Sequence, residues 1–212
     1  MALLLEQPTR GVGYRVSRDA FLLARFAHPA HPVACVCDLG AGVGPIGLSL
    51  LAEGGARRAL LVELDPAAAA LAETNAAANG FADRTTVLVG DAVALGRGHR
   101  GEASLVVCNP PYYAPGAGRT PTSAARARAR VGELPHFVRA ARLFAGRRAK
   151  VAFVYPAAAL TMLLDALRAV GLEPKRAAFV HGKLGQPARV VLVEAQAGKP
   201  GGLTVEPAIV DH

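Results

Sequence analysis

Cysteine is scarce in this chain, acidic side chains are outnumbered by basic ones, and long apolar stretches are absent. The three cysteines, Cys35, Cys37 and Cys108, are odd in number, and the first two follow a C-x-C spacing rather than C-x-x-C. Each lies inside an apolar run, so they read as small buried hydrophobes in a reducing compartment, not as a disulfide framework or a redox pair. No further soft or imidazole ligands follow at ligand spacing, so no metal is expected. No run reaches the about 18 apolar residues of a membrane span. The opening Met1-Ala2-Leu3-Leu4-Leu5-Glu6 is too short for a signal peptide and has no basic flank. The expected setting is therefore the cytoplasm, away from any membrane. Repeats and long linkers are also missing, so the 212 residues read as a single domain, 1–212.

Hydrophobic residues make up 52% of the chain and charged residues 19%, enough to bury a sizeable core and to exclude a disordered chain. Lysine and arginine number 24 against 16 aspartate and glutamate, a formal net charge of +8. Such a balance speaks to partners rather than to fold and points to a polyanion such as RNA or DNA. Compositional drift toward arginine, with no target, is the plainer alternative.

Short apolar runs alternate with alanine- and leucine-rich stretches. Strands are expected at Val33–Leu39, Ala59–Leu64, Thr86–Val89, Ser104–Cys108, Lys150–Tyr155, Arg176–Val180 and Arg189–Glu194. Helices are expected at Pro45–Glu53, Pro66–Ala78 with Asn79-Gly80 as its stop, and Ala157–Val170 closed by Gly171. Strands alternating with crossover helices imply an α/β fold with a mostly parallel sheet covered on both faces. The last two strands are joined by His181–Ala188, too short for a helix, and should form an antiparallel hairpin at one edge.

Four strand ends carry chemistry. The first leads into Asp38-Leu39-Gly40-Ala41-Gly42-Val43-Gly44-Pro45-Ile46-Gly47. These glycines let backbone approach a ligand, and the next helix offers its N-terminus. Gly42, Gly44 and Gly47 also match G-x-G-x-x-G, the dinucleotide fingerprint, and a tight turn without a ligand is a third reading. The second strand ends in Glu63-Leu64-Asp65. Glu63 is placed to accept both hydroxyls of an adenosine ribose, whereas Asp65 precedes Pro66 and reads as a helix cap. Asp91, after the third strand, can accept from the amino group of a cofactor adenine or merely close a turn.

The fourth strand runs into Asn109-Pro110-Pro111-Tyr112-Tyr113. The prolines fix φ and remove donors, so the chain leaves the strand rigidly. The Asn109 amide oxygen and the Pro110 carbonyl can accept the two hydrogens of an –NH2 group, leaving the nitrogen lone pair free to attack a methyl carbon. Tyr112 can stack on the flat group that carries the amine. A dehydrogenase has no use for this arrangement.

The glycine loop from Asp38 through Gly40, Gly42 and Gly44, with Glu63, Asp91 and N-P-P-Y, resembles the N6-adenine and N5-glutamine class of methyltransferases. Gln7-Pro8, the segment Gly13–Ala24, and Tyr112-Tyr113 followed by Gly116 and Pro121 resemble the bacterial tRNA1(Val) adenine-37 N6-methyltransferase family. The resemblance implies a Rossmann-like, seven-stranded class I methyltransferase fold and S-adenosyl-L-methionine as cofactor. It implies that residues 1–32 lie over the cofactor pocket, with Ser17 and Asp19 at the methionine end, and that Asn109 and Tyr112 hold a target adenine. Residues 113–132, with Tyr113, Arg119, Arg126, Arg128 and Arg130, would then form a basic substrate loop gripping RNA phosphates, tRNA being the substrate class. A solvated helix start with alternating Ala-Arg is the other reading of that stretch. Lys175, Arg176, Lys183 and Arg189 flank the hairpin and are expected to extend the same face.

Two competing functions remain open at this level. Methylation of a protein glutamine suits the tetrad equally well, but enzymes of that kind carry an N-terminal helical domain and only 32 residues precede Val33. A non-catalytic nucleic-acid-binding relic of the fold would bind no cofactor and tolerate loss of Asn109.

Overall fold

The computed structural model describes residues 3–8, 16–111, 133–198 and 200–211. At its centre β1 (Val33–Leu39) runs parallel to β2 (Ala56–Glu63) on one side and to β4 (Ala103–Cys108) on the other. β3 (Thr85–Val89) continues the parallel sheet beyond β2, and β5 (Ala145–Pro156) continues it beyond β4. The hairpin of β6 (Leu172–His181) and β7 (Val190–Ala197) completes it, with β7 antiparallel between β5 and β6. The strand order is β3-β2-β1-β4-β5-β7-β6. This is the mostly parallel sheet with an antiparallel edge that the sequence predicts, and all seven expected strands form. Two short strands, β8 (Thr204–Val205) and β9 (Ile209–Val210), also pair with β6. Two residues are too few to display an alternation.

Helices cover both faces because the strands alternate between two apolar surfaces. Cys35, Cys37 and Leu39 face α4 (Ala92–Gly98), α5 (Glu133–Phe144) and α6 (Leu160–Ala169). Val36, Leu61 and Leu105 face α1 (Arg18–Ala27), α2 (Pro45–Ala52) and α3 (Pro66–Ala78). All three cysteines are buried and free, and burial pushes the Cys35 and Cys37 thiols upward, so they are inert packing groups. α3 starts where expected: Asp65 caps it, its Oδ1 accepting from the Ala67 N–H at 3.0 Å, and Pro66 fills the first position. No helix among the described residues is long and apolar enough to cross a membrane.

The differences from expectation lie mostly at the amino ends of the strands. β2, β5 and β6 begin earlier than their apolar runs, at Ala56, Ala145 and Leu172. The added residues include the exposed Arg57, Arg58, Arg147 and Arg148, polar side chains that no apolar run would announce. Pro174 interrupts no regular ladder because the β6–β7 register shifts between Pro174 and Arg176. α1, α4 and α5 are not among the segments read from the sequence. The Ala157–Val170 segment is a 3-10 turn, Ala157–Ala159, followed by α6. The four hairpin cations do not share a face: β6 carries Lys175 and Arg176 near its start, whereas Lys183 and Arg189 flank the connection at its far end. Arg176 is moreover tied to Glu194 at 2.9 Å and to the Phe26 carbonyl at 2.6 Å.

Candidate active site

The carboxyl ends of β3, β2, β1 and β4 lie side by side, with Val89 beside Glu63, Val62 beside Leu39, and Leu39 beside Cys108. Crossovers run one way from β1 to β2 and β3 and the other way to β4, so the gap between β1 and β4 is the topological switch point where such sheets bind ligands. Asp91, Glu63, the Asp38–Gly44 loop and Asn109 all leave strands at this edge, so the sequence-predicted residues are brought together.

The glycine loop is fastened to β2. The N–H groups of Gly40 and Ala41 both donate to the Val62 carbonyl, at 2.9 and 3.0 Å, and the Gly42 N–H donates to Glu63 Oε2 at 2.7 Å. Gly40 has φ +66°, and a Cβ on it would stand 3.2 Å from the Phe137 ring of α5. Gly42, with φ +56°, differs: nothing lies within 4 Å of where its Cβ would be. Packing therefore explains Gly40, whereas at Gly42 the loop presents bare backbone to open space, as close approach to a ligand requires.

Asp38 is fully buried beneath α2. Its Oδ2 accepts from the Gly47 N–H at 2.9 Å, and its Oδ1 has no partner. Burial raises its carboxyl to about 7; the Gly47 N–H opposes the rise and the Glu63 charge adds to it. Glu63 accepts from three backbone donors: Gly42 on Oε2, and Leu64 and Asp65 on Oε1, both at 2.8 Å. A carboxylate offers about four acceptor positions, so one remains for an outside hydroxyl. Asp91 is both cap and pair: Oδ1 accepts from the Ala94 N–H at 2.8 Å, and Oδ2 lies 2.9 Å from His136 Nε2 on α5.

Asn109 is half-buried at the end of β4, with Pro110 buried behind it. Its Nδ2 donates to Ser17 Oγ at 3.4 Å, and its Oδ1 has no hydrogen bond among the described residues. Tyr112, Tyr113, Arg119, Arg126, Arg128 and Arg130 lie outside the described residues.

Residues 19–128 of the 212 match the model of the methyltransferase small domain. The chain belongs to that family. A tRNA1(Val) (adenine(37)-N6)-methyltransferase of Dickeya chrysanthemi is 38% identical over 117 residues, covering 55% of this chain and 45% of its own. A release factor glutamine methyltransferase of Cereibacter sphaeroides is 42% identical over 85 residues, covering 40% of this chain and 30% of its own. The chain thus spans less than half the length of these curated relatives. A solved structure of a predicted O-methyltransferase from Agrobacterium tumefaciens superposes with a TM-score of 0.70 at 22% identity, covering 90% of this chain and 86% of that one. The fold is the class I methyltransferase fold.

Within this methyltransferase small domain, several site neighbours escaped sequence reasoning. Asn75 of α3 and Asn79, just past its end, hold residues 3–8 as a strap. Glu6 N–H donates to Asn75 Oδ1 at 2.7 Å, and Leu4 N–H donates to Asn79 Oδ1 at 3.0 Å. Asn75 Nδ2 donates to both Glu6 O and Val43 O at 3.0 Å, joining the strap to the glycine loop. Their spacing, i and i+4 on an alanine-rich helix, was the available signal. His136 and Phe137, reaching Asp91 and Gly40, carried none. Asp19, at the start of α1, is buried, and its Oδ1 receives Arg189 at 2.6 Å, which ties α1 to the hairpin.

A cavity of about 420 Å³ lined by His28, Lys150, Arg176, Glu194 and Glu206 lies near the amino ends of β5 and β6, away from these residues. Its charges satisfy one another, Lys150 and Arg176 reaching Glu194 at 3.0 and 2.9 Å. Among the described residues, no group of three or more His, Cys, Asp or Glu could hold a metal ion.

Proposed function

We propose that the chain transfers a methyl group from S-adenosyl-L-methionine to the exocyclic N6 amine of an adenine in RNA, with tRNA as the substrate class. The observation that carries this reading is Asn109. Its amide nitrogen is turned to Ser17, and its oxygen is left as an acceptor at the switch point, immediately before the Pro110 carbonyl.

The residues present fit the cofactor. Gly42 offers bare backbone beside open space, and Glu63 retains acceptor capacity for ribose hydroxyls. Asp91 would take the adenine amino group on Oδ2, which it shares with His136. Ser17 stands toward the methionine end, while the Arg189 pair leaves Asp19 to fix α1. The bound cofactor supplies an electrophilic methyl group on a sulfonium. Asn109 Oδ1 and the Pro110 carbonyl accept the hydrogens of the substrate amine and orient its lone pair, and Tyr112 supplies the stacking face. Holding the amine in one orientation is the chief contribution asked of the chain, since the proton can leave after transfer. An unpaired loop adenine suits this site, because the few kcal/mol needed to flip a base out of a duplex are largely avoided.

Labelled cofactor, incubated with tRNA from a strain lacking this protein, should place label in N6-methyladenosine. The segment shared with the release factor enzyme supports a second reading, a protein glutamine, whose planar amide the same acceptors would hold. Label in a release factor, with none in RNA, would establish that reading instead.

A further inference from the structure

Five exposed arginines lie at the end of the sheet opposite the site. There the chain packs into a knot of close backbone approaches. A Cβ on Gly96 of α4 would stand 3.0 Å from the Leu143 Cβ of α5. The Gly101 N–H donates to the Leu143 carbonyl at 3.0 Å. A Cβ on Gly146 would meet the Gly101 and Ala103 carbonyl oxygens at 3.1 and 3.2 Å. The residues beside this knot in sequence are Arg97, Arg100, Arg142, Arg147 and Arg148, all exposed. Arg147 and Arg148 are carried by a bulge, since the β4–β5 register passes from Ala103–Ala145 directly to Leu105–Lys150. Glu102 is the one acidic residue in segments 96–103 and 142–148, and it is held by Arg58 at 2.9 Å and His99 at 2.7 Å. Among the described residues, none of the five arginines has a carboxylate within ion-pair distance.

We infer that this arginine knot is a second RNA-binding surface, gripping backbone phosphates of the substrate far from the nucleotide being modified. The inference rests on the RNA reading above. Five like charges on one small surface do nothing for the fold, but they match a polyanion. The cluster contains no lysine, and the planar guanidinium fork pairs with phosphate through two parallel hydrogen bonds. The knot and Asn109 lie at opposite ends of the six-residue β4, about 20 Å apart along the strand. No single nucleotide spans that distance, so an RNA that reaches the knot continues several nucleotides past the one held at Asn109.

The test is the variant R100Q/R147Q/R148Q, whose exposed positions leave the core intact, with an unchanged melting temperature as the check. Affinity is measured by fluorescence anisotropy over a range of salt concentrations, for a folded unmodified tRNA transcript and for its isolated anticodon hairpin. Three lost phosphate contacts should flatten the log–log salt slope for the full transcript by about 2 to 3 and weaken binding roughly a hundredfold or more near 0.1 M salt. The hairpin should lose much less, and KM for full tRNA should rise with kcat little changed. Equal slopes for wild type and variant, or an equal loss on the hairpin, would overturn the inference. Wild-type protein that binds the transcript through these arginines but methylates no adenine would leave the surface standing and remove the proposed reaction. Methylation by both proteins with the same KM would do the reverse.

Discussion

The two ends of the sheet treat charge in opposite ways. At the carboxyl ends, Asp38, Glu63, Asp65 and Asp91 each accept from backbone N–H groups, of Gly47, of Gly42 with Leu64 and Asp65, of Ala67, and of Ala94. Negative charge there organises loops and helix starts, and the loop geometry is fixed before any ligand arrives. At the amino ends, Arg97, Arg100, Arg142, Arg147 and Arg148 stand exposed with no carboxylate engaged among the described residues. One end is built to pre-organise a small ligand; the other is left for something outside the chain. A net charge of +8 therefore says little about the site itself, whose described lining is acidic.

The sharpest way to break this contrast is at Asn109, a neutral amide among the carboxylates of the site. Asn109→Ala removes an acceptor needed only while the amine is being aligned, so kcat should fall roughly a hundredfold or more. Cofactor affinity, set by the glycine loop and Glu63, should stay near wild type by calorimetry. Turnover that survives would mean the amide does not hold the substrate, and absence of cofactor binding in both proteins would point to a non-catalytic relic.

The Asp38 carboxyl provides the next largest effect. Burial raises it from 3.8 to about 7, so between those values the folded protein holds a proton that the unfolded chain has released. Stability from this group therefore falls as pH rises through that window, by at most about 1.4 kcal/mol per unit, and is constant below and above it. Asp38→Asn should remove this slope. Melting curves of both proteins from pH 4 to 7 give the comparison; parallel profiles would show that the carboxyl ionises normally where it sits.

Much of this organisation was legible in the sequence because it is local. Asp65 before Pro66 announced a cap, glycines after an apolar run announced a loop at a strand end, and a short connection announced the hairpin. What was not legible depends on partners distant in the chain. Asn79 read as a helix stop, but it also holds Leu4, 75 residues away. Asp19 pairs with Arg189, 170 residues on, a tie that no local pattern announces. The amino-end arginines were invisible as a group because they come from α4, α5, β5 and the connections between them, outside any apolar period.

The strap gives a test of intermediate size. Asn75→Ala deletes hydrogen bonds to both Glu6 groups and to Val43 O, leaving polar groups without partners, at a cost of about 1–3 kcal/mol. Denaturant unfolding should record that loss. Limited proteolysis should cut before Val16 faster than in wild type, and cofactor affinity should drop several-fold as the glycine loop loses its tie. An unchanged cleavage rate would show that the strap is held by its leucines instead.

The smallest expected effect is at Ser17. Its bond from Asn109 Nδ2 is 3.4 Å long, near the limit of a hydrogen bond, so Ser17→Ala should cost under about 1 kcal/mol. That corresponds to a few-fold loss, and its distribution is informative. If Ser17 serves to keep the Asn109 oxygen pointed at the amine, kcat falls while cofactor affinity holds, a faint copy of Asn109→Ala. If it serves the methionine end of the cofactor, affinity falls and kcat at saturation holds. Ser17→Thr, which keeps the hydroxyl, should restore whichever parameter was lost, and failure to do so would assign the effect to packing at the start of α1.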